Sequence, residues 1–209
     1  MTRGQAELRP RLKEKADEIL SRLSPSEREA LLIRCWVSHD ARWFVAVARE
    51  YGIDVTNRLN RIAAHEVGKV EARRIVRSLQ LPPVRTVEDC LLAQEVFIGL
   101  VGPELLDYRV AKVNDSACEV HVQRCFAYDN AVRAGVSDQY ECGIFARVTG
   151  WLEAQGLDYE ISPSLGKCLK AAGYECLYRL TFRFSAGAGH EDSGEAGSHA
   201  AGRRTQGVG

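Results

Sequence analysis

Two ionisable side chains, His39 and Asp40, lie between two tryptophans in the stretch from Cys35 to Phe44. At about 100° per residue, Asp40 falls in the middle of an apolar helical arc, and His39 lies at the edge of that arc. An ionised carboxylate without a partner in such surroundings is unfavourable, so Asp40 needs a hydrogen bond, an ion pair, a metal ion or a proton. Both side chains are therefore candidate catalytic residues. A structural hydrogen bond or ion pair to a neighbouring helix is the alternative.

Another carboxylate, Glu66, lies on the apolar face of the helix that follows, and Arg73 is close to it on that face. A short turn at Gly52 would join the two helices as an antiparallel pair and bring their apolar faces together. Glu66 and Arg73 would then join the first two side chains in one polar cluster. We take Glu66 as a third candidate catalytic residue and Arg73 as a candidate ligand-binding residue, with a salt-bridged structural network as the alternative.

Three aromatic residues, Trp36, Trp43 and Phe44, give the first helix a large aromatic surface. Aromatic side chains beside a few buried polar groups are typical of a small-molecule pocket. We therefore predict that these three residues contact a small-molecule ligand. The same aromatics could instead pack against a partner protein or against a second copy of the chain, which would make a homo-oligomer.

The chain has seven cysteines: Cys35, Cys90, Cys118, Cys125, Cys142, Cys168 and Cys176. An odd number without an export signal favours reduced thiols. Cys118 and Cys176 point to the apolar side of predicted strands, and Cys142 lies at the edge of an apolar helix stripe. These three thiolates with a histidine or water would suit tetrahedral zinc, although no C-x-x-C spacing supports such a site. The alternative is that the three cysteines simply fill the core.

The elements that position these residues begin with helices. Ser24 to Glu27 has the composition of a capping box with a first-turn proline, and it predicts a helix from Pro25 to Tyr51. Asp54 can cap a second helix that runs to about Gln80, and Thr86 with Asp89 predicts the start of another.

From Leu105 the apolar period changes from about 3.6 to 2, which indicates strands. The predicted strands are Leu105 to Asn114, Ala117 to Phe126, Leu157 to Ile161 and Glu175 to Phe184. Short helices are predicted from Tyr128 to Ala134 and, capped by Ser137, from Asp138 to Gln155. The fold class is therefore α+β, with a helical N-terminal part followed by a small antiparallel sheet and two packed helices.

The predicted elements divide the chain into four segments. Residues 1–24 form a charged helical lead-in, 25–102 the helical part, and 103–184 an α+β part with the character of a ligand-binding domain. Residues 185–209 contain no large apolar side chain except one valine near the end, and we expect this tail to be disordered and its His190 and His199 to be inert.

Composition restricts the partners. The 28 acidic and 28 basic residues balance, so the overall charge does not indicate a nucleic-acid surface, and we expect no nucleic-acid partner. No run approaches the ~20 apolar residues that a membrane span needs, and residues 1–20 lack the apolar region of a signal peptide. We expect a cytoplasmic protein without a membrane partner.

Two segments resemble known families. The helix motif Cys35-Trp-x-x-His-Asp-x-x-Trp-Phe44, followed by Tyr51-Gly52, resembles uncharacterised prokaryotic cytosolic proteins that are grouped only as a domain of unknown function. The segment Leu169 to Cys176, with Cys142 on a helix, resembles the L-2-amino-thiazoline-4-carboxylic acid hydrolase-like proteins and, more distantly, ligand-binding domains related to 4-vinyl reductase. Tyr174 stands where those two families commonly have aspartate.

Three functions follow as hypotheses. The leading one is a small-ligand-binding or metal-binding protein, with zinc as the metal. The hydrolase resemblance implies cleavage of a cyclic amide-like C–N bond, with Asp40 or His39 as base and Cys142 or Cys176 as nucleophile or ligand. The third hypothesis is a helical interaction protein.

Overall fold

The computed structural model describes residues 3–184, and within that range the chain is α+β, as predicted. The helices are α1 (Arg3–Leu20), α2 (Pro25–Tyr51), α3 (Ile53–Leu79), α4 (Val87–Val101), α5 (Phe126–Arg133) and α6 (Gly143–Ala154). The strands are β1 (Leu106–Asn114), β2 (Ala117–Cys125), β3 (Asp158–Ser162) and β4 (Cys176–Arg183). Short 3₁₀ turns lie at Pro103–Leu105 and Ser137–Gln139. The predicted disordered tail with His190 and His199 lies outside the described residues.

The predicted capping boxes are present at both sites. At the start of α2, the Ser24 backbone N–H donates to the Glu27 carboxylate over 2.8 Å, and the Glu27 N–H donates back to the Ser24 hydroxyl over 3.3 Å. Thr86 and Asp89 exchange the same two bonds at the start of α4. These side chains satisfy N–H groups that a helix leaves unpaired, which explains why both helices begin where the sequence indicated.

A single glycine separates α2 from α3. Gly52 has φ of 80°, in a region that side chains rarely adopt, and its N–H caps α2 by donating to Ala48. The same residue precedes the first turn of α3, so Asp54 lies inside that turn and is not the cap that we predicted. The two long helices are therefore joined by a tight turn at this one residue.

The four strands form one antiparallel sheet in the order β1-β2-β4-β3. The alternation predicted for the last strand is confirmed, because Cys176, Tyr178, Leu180 and Phe182 are buried and the residues between them are more exposed. The buried face of the sheet packs against α4 and α6, where Phe145 packs against Tyr178 with ring centroids 3.9 Å apart and the rings tilted by 35°.

The predicted helix from Asp138 to Gln155 is wrong at its start, because α6 begins only at Gly143. Buried Asn57 of α3 donates its amide to the Gln139 carbonyl over 2.6 Å and accepts the Glu141 N–H over 3.2 Å. The Cys142 N–H donates to the Gly166 carbonyl over 2.9 Å. These tertiary hydrogen bonds use backbone groups that an α-helix would need, so α6 does not extend back to Asp138.

The backbones of α3 and α6 approach each other at two glycines. A Cβ atom on Gly68 would lie 2.3 Å from the Arg147 carbonyl oxygen, and one on Gly150 would lie 2.1 Å from the His65 carbonyl oxygen. Real Cβ atoms do not approach backbone oxygen so closely, so only glycine fits at either position. This contact locks α3 to α6. By contrast, none of the residues of α2, all within the described range, is buried.

We predict that Gly68→Ala lowers the free energy of unfolding by about 1–3 kcal/mol, because the added methyl group must push the α6 backbone away. Gly99→Ala on α4 is the matched control: no atom lies within 4 Å of its Cβ position. That substitution should be neutral or stabilising by up to ~1 kcal/mol through helix propensity. Urea unfolding of both variants measures the difference, and equal effects would contradict the close contact.

Candidate functional site

A pocket with an open volume of about 170 Å³ lies between α2, α3, α5 and α6. Its aromatic lining consists of Trp36, Phe44, Phe126 and Tyr140. Four polar side chains also face it: Asp40, Asn60, Asn130 and Arg147. Alanine, valine, isoleucine and glycine residues complete the wall, so the pocket is mainly apolar with a few polar groups.

Helix α2 supplies one wall through residues spaced four apart. Trp36, Asp40 and Phe44 share one side of the helix because i and i+4 side chains lie one above the other. Phe44 packs edge-on against buried Tyr140, with ring centroids 5.8 Å apart at 66°. Trp43, which we predicted to be a ligand contact, does not line the pocket and is 66% exposed.

Arg147 lies in the opposite wall and is held by an ion pair. Its Nε donates to the Glu71 carboxylate over 2.7 Å, and its Nη2 donates to the second oxygen of the same carboxylate. The Trp151 indole N–H also donates to Glu71, over 3.2 Å. The guanidinium carbon lies 4.8 Å from the ring centroid of Trp36. The Arg147 side chain is therefore fixed between a carboxylate and an aromatic ring.

Asp40 lies on the pocket wall with part of its surface still exposed to solvent. Burial against the surrounding protein raises the pKa of Asp40, and the positive charge of Arg147, with a smaller effect from the nearby His39, lowers that pKa only in part. No hydrogen bond from a described residue contributes to that shift. The carboxylate is thus a stronger base than an ordinary aspartate and is able to accept a hydrogen bond or a proton.

The other predicted polar residues do not reach this pocket. Glu66 accepts a hydrogen bond from Lys69 of its own helix over 3.2 Å and lies 3.3 Å from the ring nitrogen of His65. Arg73 is exposed, and neither it nor Glu66 lines the pocket. The predicted cluster is therefore replaced by the approach of Asp40 to Arg147. Roles for Glu66 and Arg73 elsewhere stay predictions, as does a catalytic role for exposed His39.

Packing of α3 explains this difference. The face of α3 that meets α6 carries small residues, with Gly68 and Ala72 buried there. The large apolar residues of α3, including Leu59 and Ile62, are exposed. The helix is rotated relative to our expectation because close backbone contact with α6 determines its orientation.

The three cysteines of the predicted zinc site lie in two different parts of the core. Cys118 packs beside Cys90 under α4, whereas Cys142 and Cys176 pack in a second cluster with Cys125. Among the residues that the structure describes, no three His, Cys, Asp or Glu side chains are arranged to hold a metal ion. Coordination of zinc by the predicted set would need Cys118 to leave its own core cluster.

Burial also changes the acidity of these thiols. It raises the pKa of Cys142 and of Cys176 to about 12 and that of Cys118 to about 11. For Cys142 the neighbouring Cys125, Cys168 and Cys176 add to the effect. A thiol that keeps its proton at neutral pH is a weak nucleophile, so the environment of these side chains favours a role in the core.

Sequence reasoning missed Arg147 and Glu71, which complete the site. Arg147 lies in α6 between Ile144 and Trp151, which belong to the apolar stripe of that helix. Its position within this stripe could have indicated that the arginine points inward. Glu71 stands next to Ala72, on the helix face that small residues mark as a contact surface. Their partnership is not visible in the sequence because 76 positions separate them.

None of the described helices is long and apolar enough to cross a bilayer.

A search of curated proteins finds no match for this chain. One family does match, over residues 23–181, and its description is a family of unknown function. The matched range contains every residue named above for the pocket, and it carries no activity with it. The chain therefore belongs to the family of unknown function DUF6125.

Proposed function

We propose that the protein binds a small organic ligand in the pocket between α2, α3, α5 and α6. The proposal rests on the combination of a mainly apolar wall with two polar groups, Asp40 and the fixed Arg147. No hydrogen bond from a described residue lowers the pKa of the Asp40 carboxylate, so that carboxylate is free to accept one from a ligand. Such convergence of aromatic surface and a few polar groups is the usual character of a ligand site.

The volume limits the size of the ligand. An apolar cavity of ~150 Å³ is enough to hold benzene, so about 170 Å³ suits a single ring with small substituents. Trp36 and Phe44 offer flat surfaces for such a ring.

The polar groups define the chemistry that the ligand should carry. Asp40 accepts hydrogen bonds, so the ligand needs an N–H or O–H donor. Glu71 occupies two of the five N–H groups of Arg147, which leaves donors for a carbonyl or other acceptor of the ligand. A cyclic amide-like compound has a donor and an acceptor on one ring, and we propose that class as the ligand.

Hydrolysis of such a ligand is a second candidate function. The raised pKa of Asp40 favours it, because a stronger carboxylate base can take a proton from an attacking water. The water oxygen would bond to the carbonyl-type carbon, the C–N bond would break, and the nitrogen would take up the proton that Asp40 had accepted from the water. The resemblance of the segment from Leu169 to Cys176 to thiazoline-carboxylate hydrolase-like proteins supports the same class. A cysteine nucleophile has less support, because the thiols are buried and weakly acidic.

Filling the pocket tests the binding proposal. Ala41 lines the pocket, whereas Ala46 on the same helix is exposed and does not line it. We predict that Ala41→Phe weakens the binding of single-ring amide-like compounds at least tenfold, because the phenyl group occupies their space. Ala46→Phe should bind as the unmodified protein does. Calorimetric titration with hits from a thermal-shift screen gives the affinities, and equal weakening in both variants would overturn the proposal.

Replacing Asp40 by Asn tests the polar part of the site. Burial raises the pKa of Asp40 in the folded protein, so the folded protein loses stability as pH rises through that pKa. Asparagine carries no charge, so the Asp40→Asn variant should melt roughly 1–3 °C higher than the unmodified protein at pH 7. The gain should vanish in acid, below the unfolded-state pKa, where both states are protonated. Ligand affinity should fall about tenfold or more.

Glu50→Gln, at an exposed position of the same helix, is the control and should change neither property. Loss of hydrolytic turnover in the Asp40→Asn variant with its fold intact would favour the enzyme hypothesis. Collapse of the fold would show that Asp40 belongs to a structural network and would contradict the ligand role.

A further inference from the structure

The α3 wall of the pocket carries a carboxamide, that of half-buried Asn60. Two other asparagines nearby already use their side chains. Asn57 donates to and accepts from the backbone that precedes α6, and the Asn130 oxygen accepts a hydrogen bond from Arg133 over 2.9 Å. No hydrogen bond joins the Asn60 carboxamide to another described residue. Its oxygen and its NH₂ group are therefore both available to a ligand.

A glycine at the start of α6 makes room for this carboxamide. Gly143 is the first residue of α6 and lines the same pocket as Asn60. A Cβ atom on Gly143 would lie 2.6 Å from Nδ2 of Asn60 and 3.6 Å from its Cγ. Any side chain at position 143 would therefore displace the Asn60 amide. The amide lies against the α6 backbone, in a space that only glycine leaves open.

The hydrogen-bonding capacity of Asn60 differs from that of the two charged groups in the pocket. The ionised Asp40 carboxylate only accepts hydrogen bonds, and the Arg147 guanidinium only donates them. A carboxamide has an acceptor and a donor side by side. It can form two parallel hydrogen bonds with another group that has the same pair, as asparagine does with the edge of adenine. A ring amide has such a pair, because its N–H and its carbonyl are neighbours on one edge.

We infer that the ligand of this pocket is a cyclic ureide or cyclic diamide, and that Asn60 recognises one of its amide edges. The inference rests on the proposed ligand site. Asp40 would accept one ring N–H, and Arg147 would donate to one carbonyl. Asn60 would pair with the second N–H and the second carbonyl. A ring with one amide group cannot satisfy all three side chains, which come from α2, α6 and α3.

The volume agrees with a small ring of this kind. Because a cavity of ~150 Å³ holds the six carbons of benzene, about 170 Å³ corresponds to about seven non-hydrogen atoms. Hydantoin, a flat five-membered ureide with two N–H groups and two carbonyls, has that size. Its faces suit the aromatic rings of Trp36 and Phe44, which line the pocket.

Comparison of two five-membered rings tests the inference. Hydantoin has two N–H groups and two carbonyls, whereas pyrrolidin-2-one has one of each. In NMR titrations of the full chain, hydantoin should bind at least about tenfold more tightly, because only hydantoin can bond to Asn60 while it also bonds to Asp40 and Arg147.

Two substitutions examine the role of Asn60 itself. Asn60→Leu keeps the branched shape without the amide, and Gly143→Ala displaces the amide. Each should weaken hydantoin binding, about tenfold for Asn60→Leu, and should change pyrrolidin-2-one binding by no more than about threefold. Arg58→Leu, at an exposed position of α3 outside the pocket wall, is the control and should change neither. A general loss of folding would weaken both rings alike, so the ratio of the two affinities reports recognition by Asn60.

The outcomes separate this inference from the proposed site. Equal affinities for the two rings in the unmodified protein would overturn the role of Asn60 and leave the ligand site in place. A preference for hydantoin that persists in both the Asn60→Leu and the Gly143→Ala variants would do the same. If neither ring binds the unmodified protein at millimolar concentration, the proposed site for amide-like rings fails, and the inference fails with it.

Discussion

The close backbone contact between α3 and α6 determines how the neighbouring side chains of both helices are arranged. Gly68 and Gly150 let the two helices approach more closely than any side chain would allow. That approach places Glu71 beside Arg147 and fixes the wall of the pocket. It also turns the large apolar residues of α3 away from the core, which creates the exposed surface. The pocket and the exposed surface thus share one origin.

Charge compensation then determines what the pocket can bind. Glu71 neutralises much of the charge of Arg147, so the guanidinium only partly offsets the cost of burying Asp40. Trp36 covers the guanidinium face and keeps it close to the ligand space. The result is a site with one basic carboxylate and one immobilised donor, which suits a neutral ring with paired polar atoms better than a strongly charged ligand.

Local signals in the sequence predicted most of the fold. The capping boxes at Ser24 and Thr86 and the alternation of β4 depend on neighbouring residues, and all three are confirmed. The predicted start of α6 was wrong because Asn57, which is far away in the chain, forms hydrogen bonds with the backbone that precedes α6. The orientation of α3 was wrong because the contact of small residues with α6 outweighed apolar periodicity. For the site, residues on one helix were within reach of sequence reasoning, whereas Arg147 required knowledge of how the helices pack.

A double-mutant cycle between Glu71 and Arg147 measures whether their ion pair holds the pocket wall in place. Breaking a largely buried, doubly hydrogen-bonded ion pair leaves one charge uncompensated, so Glu71→Gln and Arg147→Met should each cost about 2–4 kcal/mol of unfolding free energy. The double variant should cost no more than the worse single variant, which corresponds to a coupling energy of at least about 2 kcal/mol. Additive losses, with coupling below ~0.5 kcal/mol, would show that the pair does not hold the pocket wall and would contradict this account.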